Sequence, residues 1–168
     1  MPILPITIYP EQILRKVAEP ITDITDEIIT LCYDMSETMY DAPGIGLAAP
    51  QVGVSKRLFV IDLGSDTEKE TESNLYSFIN PEIIDSRGKM KYEEGCLSIP
   101  DIREFVERPS WIKVKATSIK GEDFEIEAEG LFAVCIQHEL DHLNGILFFD
   151  HLQGLKKKMM AKKLLKFV

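Results

Sequence analysis

The sequence predicts an α+β fold, and three observations support that class. Residues 123–129 alternate between acidic and apolar side chains, the pattern of a strand with one buried face. Residues 28–39 place apolar side chains at steps of three and four, which is typical of an amphipathic helix. Several short extended stretches lie between these two segments. We therefore expect short antiparallel strands packed around a central helix, with a further helix at the C-terminus.

Capping and turn residues set the bounds of the elements. Thr25 or Asp23 can cap the first helix, and Pro43-Gly44 ends it. Gly130 begins the central helix, and Asn144-Gly145 ends it. We expect strands at 57–62 and 75–79, the second ended by Asn80-Pro81, and an exposed loop between them at 64–74. Shorter extended pieces are expected at 82–84, 89–92, 105–106 and 112–116. A basic C-terminal helix is expected at about 152–166.

Length, charge and cysteine usage limit the function classes. The 168 residues suffice for one domain, which we expect to span 1–168. A net charge of −9 argues against specific DNA binding. The sequence has no long apolar run and no signal-peptide pattern, so we expect no membrane partner. Three cysteines do not make a disulfide framework, which indicates a cytoplasmic, reducing location.

A segment of small residues, Gly44-Ile45-Gly46-Leu47-Ala48-Ala49-Pro50-Gln51, follows the first helix. Its glycines and alanines allow the backbone to approach a ligand or another chain closely. An ordinary flexible turn is the alternative. Because the segment is apolar and bounded by prolines, we expect a rigid, buried loop.

The central helix carries His138-Glu139-Leu140-Asp141-His142, an H-E-x-x-H motif. Residues four apart on a helix lie about 6 Å apart along the axis on one face, so both imidazoles can reach one metal ion. Glu139 lies beside that face, where it can act as a general base on a water molecule. Two unrelated surface histidines are the alternative interpretation.

A catalytic site of this kind needs a third protein ligand. Phe148 stands six positions after His142, and no glutamate follows the motif, so the usual downstream ligands are missing. Cys96, in a short upstream segment, is the best candidate. Cys135 is the rival, but it lies about 10 Å from His142 along the helix axis. We favour a Cys/His/His site with one open position over a closed structural site with both cysteines.

Two polar residues near the motif have competing interpretations. Asp141 can orient a ligand histidine, as metal sites usually require, or can be a solvated acid on the helix surface. His151 is the only histidine outside the motif and remains a candidate for a downstream ligand, but we favour a surface position where the C-terminal helix starts.

Three segments together carry a family resemblance: residues 44–51, the stretch Glu94-Gly95-Cys96-Leu97-Ser98, and residues 137–142. In this order and spacing they closely resemble the three motifs of peptide deformylase, of the bacterial type with a helical C-terminus. The resemblance implies an enzyme that removes the N-formyl group from the N-terminal formylmethionine of nascent polypeptides.

The resemblance also implies the parts of the active site. Cys96, His138 and His142 would bind one divalent metal ion, with Fe²⁺ as the natural metal and Zn²⁺, Ni²⁺ or Co²⁺ as alternatives. A soft thiolate ligand suits these metals better than Mg²⁺ or Ca²⁺. A metal-activated water would attack the formyl carbonyl, with Glu139 as general acid and base.

The remaining implied residues bind the substrate and the developing charge. Gln51 and the backbone N–H of Leu97 would stabilise the oxyanion. Val134 stands where many family members have arginine, which is a departure within the pocket. The implied substrate-binding residues are Gly44, Ile45, Gly46, Gly95, Arg103, Val134 and Cys135.

The C-terminal segment is strongly basic in an otherwise acidic chain. Six lysines and no acidic residue lie between Lys156 and Lys166. A solvated helix face is one interpretation. By the resemblance, this helix instead contacts the ribosome, through the phosphates of its RNA. The expected partners are thus N-formylmethionyl nascent peptides and the ribosome.

Two other functions stay open on the residues alone. A metallopeptidase would share the H-E-x-x-H motif, although the missing downstream ligand disfavours it. A ribosome-associated binding factor with a structural metal would need neither Glu139 nor Gln51. An assay with formylated and unformylated peptides separates the three.

Overall fold

The computed structural model describes residues 3–64 and 75–168, and it confirms the α+β class. The helices are α1 (Asp26–Asp41), α2 (Gly130–Leu143) and α3 (Gly154–Leu164). The strands are β1 (Gly46–Ala48), β2 (Leu58–Ile61), β3 (Tyr76–Arg87), β4 (Met90–Cys96), β5 (Ile99–Arg108), β6 (Trp111–Thr117) and β7 (Asp123–Glu129). Short 3₁₀ helices occupy Gln12–Arg15, Ala49–Val52, Phe148–His151 and Leu165–Phe167.

The strands form two antiparallel sheets. One sheet has five strands in the order β1-β2-β3-β6-β7, and the other consists of β4 and β5. Alternate residues of β2 face opposite sides, and both sides are buried. Phe59 packs in the same cluster as Ile136 of α2, whereas Val60 packs with Met35 and Met39 of α1. The two helices therefore cover opposite faces of the large sheet, and α2 lies between it and the small sheet's β4.

A third apolar cluster joins the C-terminal helix to the body. Met160 and Leu164 of α3 are buried in it with Val106 of β5 and with Phe148. The expected C-terminal helix is confirmed, although α3 is shorter than predicted and continues as a 3₁₀ turn. No helix in the described ranges is both long and apolar enough to cross a membrane.

The expectation that Asn80-Pro81 ends a strand is wrong. β3 continues from Tyr76 to Arg87, and its pairing with β6 shifts register between Ile79 and Glu82. The bulge accommodates the proline, which has no N–H to donate to the ladder. Asn80 has a φ of 51°, and its side-chain amide makes two hydrogen bonds to the backbone of Ile21. Most of the loop expected at 64–74 lies outside the described residues.

Residues 44–51 are more regular than the loop that the sequence predicts. Gly46 begins β1, and a 3₁₀ helix follows it. The segment is buried from Leu47 to Gln51, as expected for a rigid element, whereas Ile45 is exposed. Its strand lies at the edge of the large sheet, where it borders the central helix.

Candidate metal centre

Helix α2 and strand β4 bring together three side chains that could bind one metal ion. His138 and His142 lie one helical turn apart, with ring centroids separated by 5.0 Å. Cys96, the last residue of β4, places its Sγ 3.4 Å from Nε2 of His142. One ligand atom from each residue lies within 4.8 Å of the others. The structure therefore brings together the three residues that the motif analysis selected as ligands.

The donor set fits a transition metal. A thiol sulfur and two imidazole nitrogens are the groups that bind zinc and late first-row ions, and a three-ligand set leaves a position for water. Two buried atoms at this centre, Glu139 Oε1 and His142 Nδ1, have no hydrogen-bond partner among the described residues. The chemistry of the donors and the unpartnered carboxylate are both consistent with a hydrolytic metal site.

A buried carboxylate orients the His138 ring. Nδ1 of His138 lies 2.9 Å from Oε1 of Glu94, so the ring donates its Nδ1–H there and leaves Nε2 for a ligand. Arg108 donates two hydrogen bonds to the same carboxylate, of 2.7 and 2.9 Å. Both Glu94 and Arg108 are only 4% exposed at their side chains. Neither residue was given a role from the sequence.

Asp141 does not take the place expected for it. Its Oδ2 accepts hydrogen bonds from Arg108 at 2.9 Å and from His151 at 2.7 Å, and not from either motif histidine. Asp141 is therefore neither a direct partner of a ligand histidine nor a solvated surface acid, the two interpretations that the sequence left open. His151 is partly exposed just before α3, as the sequence indicated.

Burial and neighbouring charges shift the pKa values at this centre in opposite directions. Burial alone would lower the pKa of His138, but its contacts with Cys96 and Glu94 raise that pKa well above the usual value. Burial, together with the positive charge on His138, lowers the pKa of His142 well below it. Burial raises the pKa of Glu139 to about 7. A cation bound beside the Glu139 carboxyl would lower this value.

A glycine gives the Glu139 carboxyl its space. A Cβ on Gly46 would lie only 2.6 Å from Oε2 of Glu139 and 3.1 Å from its Cδ. Strand β1 therefore approaches α2 as closely as the glycine permits. The close approach that the small residues predicted is to a side chain of the H-E-x-x-H motif itself.

Gln51 is held with its amide nitrogen toward the thiol. Its Oε1 accepts a hydrogen bond from the N–H of Ala48 at 2.9 Å, which fixes the orientation of the amide. Its Nε2 donates to Ser98 Oγ at 3.2 Å and lies 3.6 Å from Cys96 Sγ. Ser98 is fully buried, and its role as a partner of Gln51 was not apparent from the sequence.

A cavity of about 880 Å³ opens onto this centre. Glu139, His138, Cys96, Gln51 and Leu97 line its inner part. All seven residues that the sequence assigned to substrate binding also line it, namely Gly44, Ile45, Gly46, Gly95, Arg103, Val134 and Cys135. His142 lies beneath the surface, only 1% exposed.

Comparisons with known proteins agree over nearly the whole chain. The polypeptide deformylase family model matches residues 3–158. A peptide deformylase of Afipia carboxidovorans is 53% identical over 167 residues, which cover 99% of this chain and 96% of that protein. The crystal structure of a peptide deformylase from Legionella pneumophila matches with a TM-score of 0.89 and 47% identity, covering 99% of this chain and 95% of that one.

A further solved structure is of a class I type b peptide deformylase from Acinetobacter baumannii with Met-Ala-Ser bound. It matches with a TM-score of 0.83 and 36% identity, covering 90% of this chain and 99% of that chain. Sequence and structure thus lead to the same family. The chain belongs to the polypeptide deformylase family, and it is an enzyme of that family.

Proposed function

We propose that this enzyme hydrolyses the N-formyl group of N-terminal formylmethionine on nascent polypeptides, releasing formate and a free amino terminus. The observation that carries the proposal is the position of Glu139. Its carboxyl is buried in a cavity beside a Cys/His/His donor set, with one oxygen unpartnered among the described residues. A structural metal site has no use for such a carboxylate, whereas hydrolysis requires a base there.

The proposed ligands are Cys96, His138 and His142, which would hold one divalent metal ion. When bound, the ion supplies Lewis acidity, which polarises the formyl carbonyl and makes a water molecule more acidic. We propose Fe²⁺ as the natural metal, with Zn²⁺, Ni²⁺ or Co²⁺ as substitutes, because the thiolate is a soft donor. Glu94 keeps His138 in the tautomer that exposes Nε2.

Glu139 moves the proton in the proposed reaction. Its carboxylate takes a proton from the attacking water and delivers it to the amide nitrogen as the C–N bond breaks. Gly46 leaves room for the carboxyl at the edge of β1, and both residues line the cavity that would hold the substrate. A correctly placed acid–base group of this kind contributes about 10²- to 10⁴-fold in rate.

Gln51 and Leu97 would stabilise the charge that develops on the formyl oxygen. The Gln51 amide is oriented by Ala48, so its N–H₂ group is directed toward the Cys96 side of the cavity. The backbone N–H of Leu97 follows the thiol directly in sequence. Preorganised donors of this kind are each worth about 3 kcal/mol in the transition state.

The apolar wall of the cavity suits a methionine side chain. Val134 and Cys135 of α2 line it from one side, and Ile45 lines it beside the edge strand. The relative from Acinetobacter baumannii that binds Met-Ala-Ser holds a peptide that deformylation of formyl-Met-Ala-Ser would produce. We propose that Gly44, Gly46, Gly95 and Arg103 contact the peptide along the same cavity.

An anaerobic assay of the Fe²⁺-loaded enzyme tests the proposal. Formyl-Met-Ala-Ser and unformylated Met-Ala-Ser are incubated separately, and formate and free peptides are quantified. We expect formate and intact Met-Ala-Ser in equal amounts from the first peptide and no change in the second. Cleavage of internal peptide bonds would indicate a metallopeptidase. Release of neither product would favour the binding-factor alternative.

We also propose that α3 contacts the ribosome, which places the enzyme in the cytoplasm with its nascent substrates. Lys157, Lys158 and Lys162 are exposed on this helix and make no ion pair with any residue in the described ranges. Lys156 and Lys166, in contrast, lie near Glu104 and Asp101. The first three lysines are therefore free to approach RNA phosphates.

A further inference from the structure

A continuous chain of polar contacts connects His138 to the turn that precedes α3. His138 donates to Glu94, Arg108 holds Glu94 through two hydrogen bonds, and Asp141 holds Arg108. The series of contacts ends at His151, whose Nε2 lies 2.7 Å from Asp141 Oδ2 and 3.5 Å from Nη1 of Arg108. With its proton on Nε2, the ring donates to Asp141. These residues come from α2, β4, β5 and the 3₁₀ turn Phe148–His151, so the contacts join separate elements of the fold.

From Glu94 outward, the exposure of these side chains increases toward His151. The side chains of Glu94 and Arg108 are 4% exposed, that of Asp141 17%, and that of His151 36%. A guanidinium group binds carboxylates through a planar fork, so its orientation is set when partners occupy more than one of its edges. Glu94 occupies the Nε and Nη2 edge, and Asp141 occupies Nη1.

We infer that His151 is a positioning residue for the metal centre. By holding Asp141 against Nη1, it keeps the Arg108 fork in the orientation that directs Glu94 at His138. The inference rests on the proposed metal site, in which His138 is a ligand. It makes a residue in the turn before the C-terminal helix part of what retains the metal, although His151 reaches His138 only through Asp141, Arg108 and Glu94.

A neighbouring ion pair provides a matched control. Asp150 in the same 3₁₀ turn pairs with Arg15, which anchors the turn to the body of the protein. Arg15 makes no contact with Arg108, Asp141 or Glu94 among the hydrogen bonds of the described residues. Loss of the Arg15 pair loosens the turn without touching the polar chain.

The test measures transfer of Zn²⁺ from the full-length, Zn²⁺-loaded protein to an excess of a colorimetric chelator. Three variants are compared with the parent. His151→Phe keeps an aromatic ring but has no N–H, whereas the amide of His151→Gln can still donate to Asp141. Arg15→Gln is the matched control. Loss of a group that hydrogen-bonds a metal ligand typically costs about 10- to 100-fold in metal affinity, and His151 acts one step further out, through Arg108 and Glu94. We expect His151→Phe to release Zn²⁺ about tenfold faster than the parent. We expect the release rates of His151→Gln and Arg15→Gln to stay close to the parental rate.

Each outcome decides the matter. Parental release by His151→Phe overturns the inference, and so does equal acceleration by Arg15→Gln, which would indicate general loosening. Should His151→Phe not fold, His151→Ala carries the same prediction. A parent that binds no Zn²⁺ overturns both this inference and the proposed metal site, whereas a loaded parent with an insensitive His151 overturns the inference alone. The d–d absorption bands of the Co²⁺-loaded forms are expected to shift only in His151→Phe.

Discussion

Nδ1 of His138 lies 2.9 Å from a carboxylate oxygen of Glu94, which stands two residues before Cys96 on the same strand. The end of β4 thus supplies both the thiol and the group that orients one imidazole. Burial alone would raise the pKa of Glu94, but hydrogen bonds from His138 and Arg108 lower it. Glu94 is therefore ionised in the folded protein and accepts a hydrogen bond from Nδ1–H of His138.

Removing the charge that holds Glu94 should destabilise the fold. Arg108→Met leaves the Glu94 and Asp141 carboxylates without their cation. Because the Glu94 carboxylate is buried, we expect the free energy of unfolding to fall by about 3 kcal/mol. Arg103→Met is the matched control. Arg103 pairs with Glu93 on the same two strands, but its side chain is 60% exposed. Its loss should cost less than about 1 kcal/mol.

Urea denaturation of both variants checks this prediction. Equal losses of stability in Arg103→Met and Arg108→Met would contradict the view that burial makes the loss of the Glu94–Arg108 pair more costly.

The metal content of two variants distinguishes the role of Cys96 from that of Cys135. Cys96→Ala removes the proposed thiolate ligand, and we expect substoichiometric metal after purification in the presence of Zn²⁺. Cys135→Ala is the matched control, because Cys135 lines the same cavity but does not belong to the group of ligand atoms within 4.8 Å. It should retain one ion per chain. Elemental analysis that finds full occupancy in Cys96→Ala would rule out the ligand assignment.

Cys32 should make stability depend on pH in the alkaline range. Burial on α1 raises the pKa of its thiol to about 11 from an ordinary value of 9.0. A raised pKa means that the unfolded chain loses this proton first, so stability is full below about pH 9 and falls as pH rises toward 11. A shift of two units corresponds to about 3 kcal/mol.

The comparison that isolates this effect is Cys32→Ala. The variant has a lower stability at pH 7, since a small cavity remains, but its stability should decline less between pH 8 and 10.5 than that of the parent. We would measure both by urea denaturation. If the stability of the two proteins declines equally with pH, Cys32 does not contribute to the pH dependence.

Charge on α3 tests the proposed ribosome contact. The variant Lys157→Gln/Lys158→Gln/Lys162→Gln removes three exposed positive charges and leaves buried Met160 and Leu164 in place. We expect weaker co-sedimentation with ribosomes. We also expect the binding constant to fall less steeply with salt concentration, as for a protein that makes about three fewer phosphate contacts. The control replaces Lys113, Lys115 and Lys120 on the β6 side with glutamine. Unchanged sedimentation of the α3 variant would reject the contact.

Local pattern was sufficient for much of the fold. The three- and four-residue steps of Met35 and Met39 predicted α1, and the alternation at 123–129 predicted β7. The local pattern gave the wrong result at Asn80-Pro81, where a bulge lets the strand continue. The Asn80 side chain there hydrogen-bonds the backbone of Ile21, which lies 59 residues away along the chain. A turn signal in the sequence does not reveal such a distant partner.

The site was predictable where a motif specifies its own geometry. Helical spacing alone brings His138 and His142 onto one face. The missing downstream ligands favoured Cys96, and the three-motif resemblance implied the same residue. The hydrogen-bond partners could not be read in this way. Glu94 reaches His138 across 44 residues, and Asp141 turns to Arg108, whose position depends on the packing of β5. A carboxylate two positions before the candidate cysteine ligand is the sequence signal that could have identified Glu94.

The most direct test of the proposed mechanism is the turnover of Glu139→Ala on formyl-Met-Ala-Ser, with metal content and thermal stability measured on the same preparation. We expect one metal ion per chain and a folded protein, with kcat lower by about 10²- to 10⁴-fold. Turnover close to that of the parent, in a variant that retains its metal, would contradict the assignment of Glu139 as the group that moves the proton.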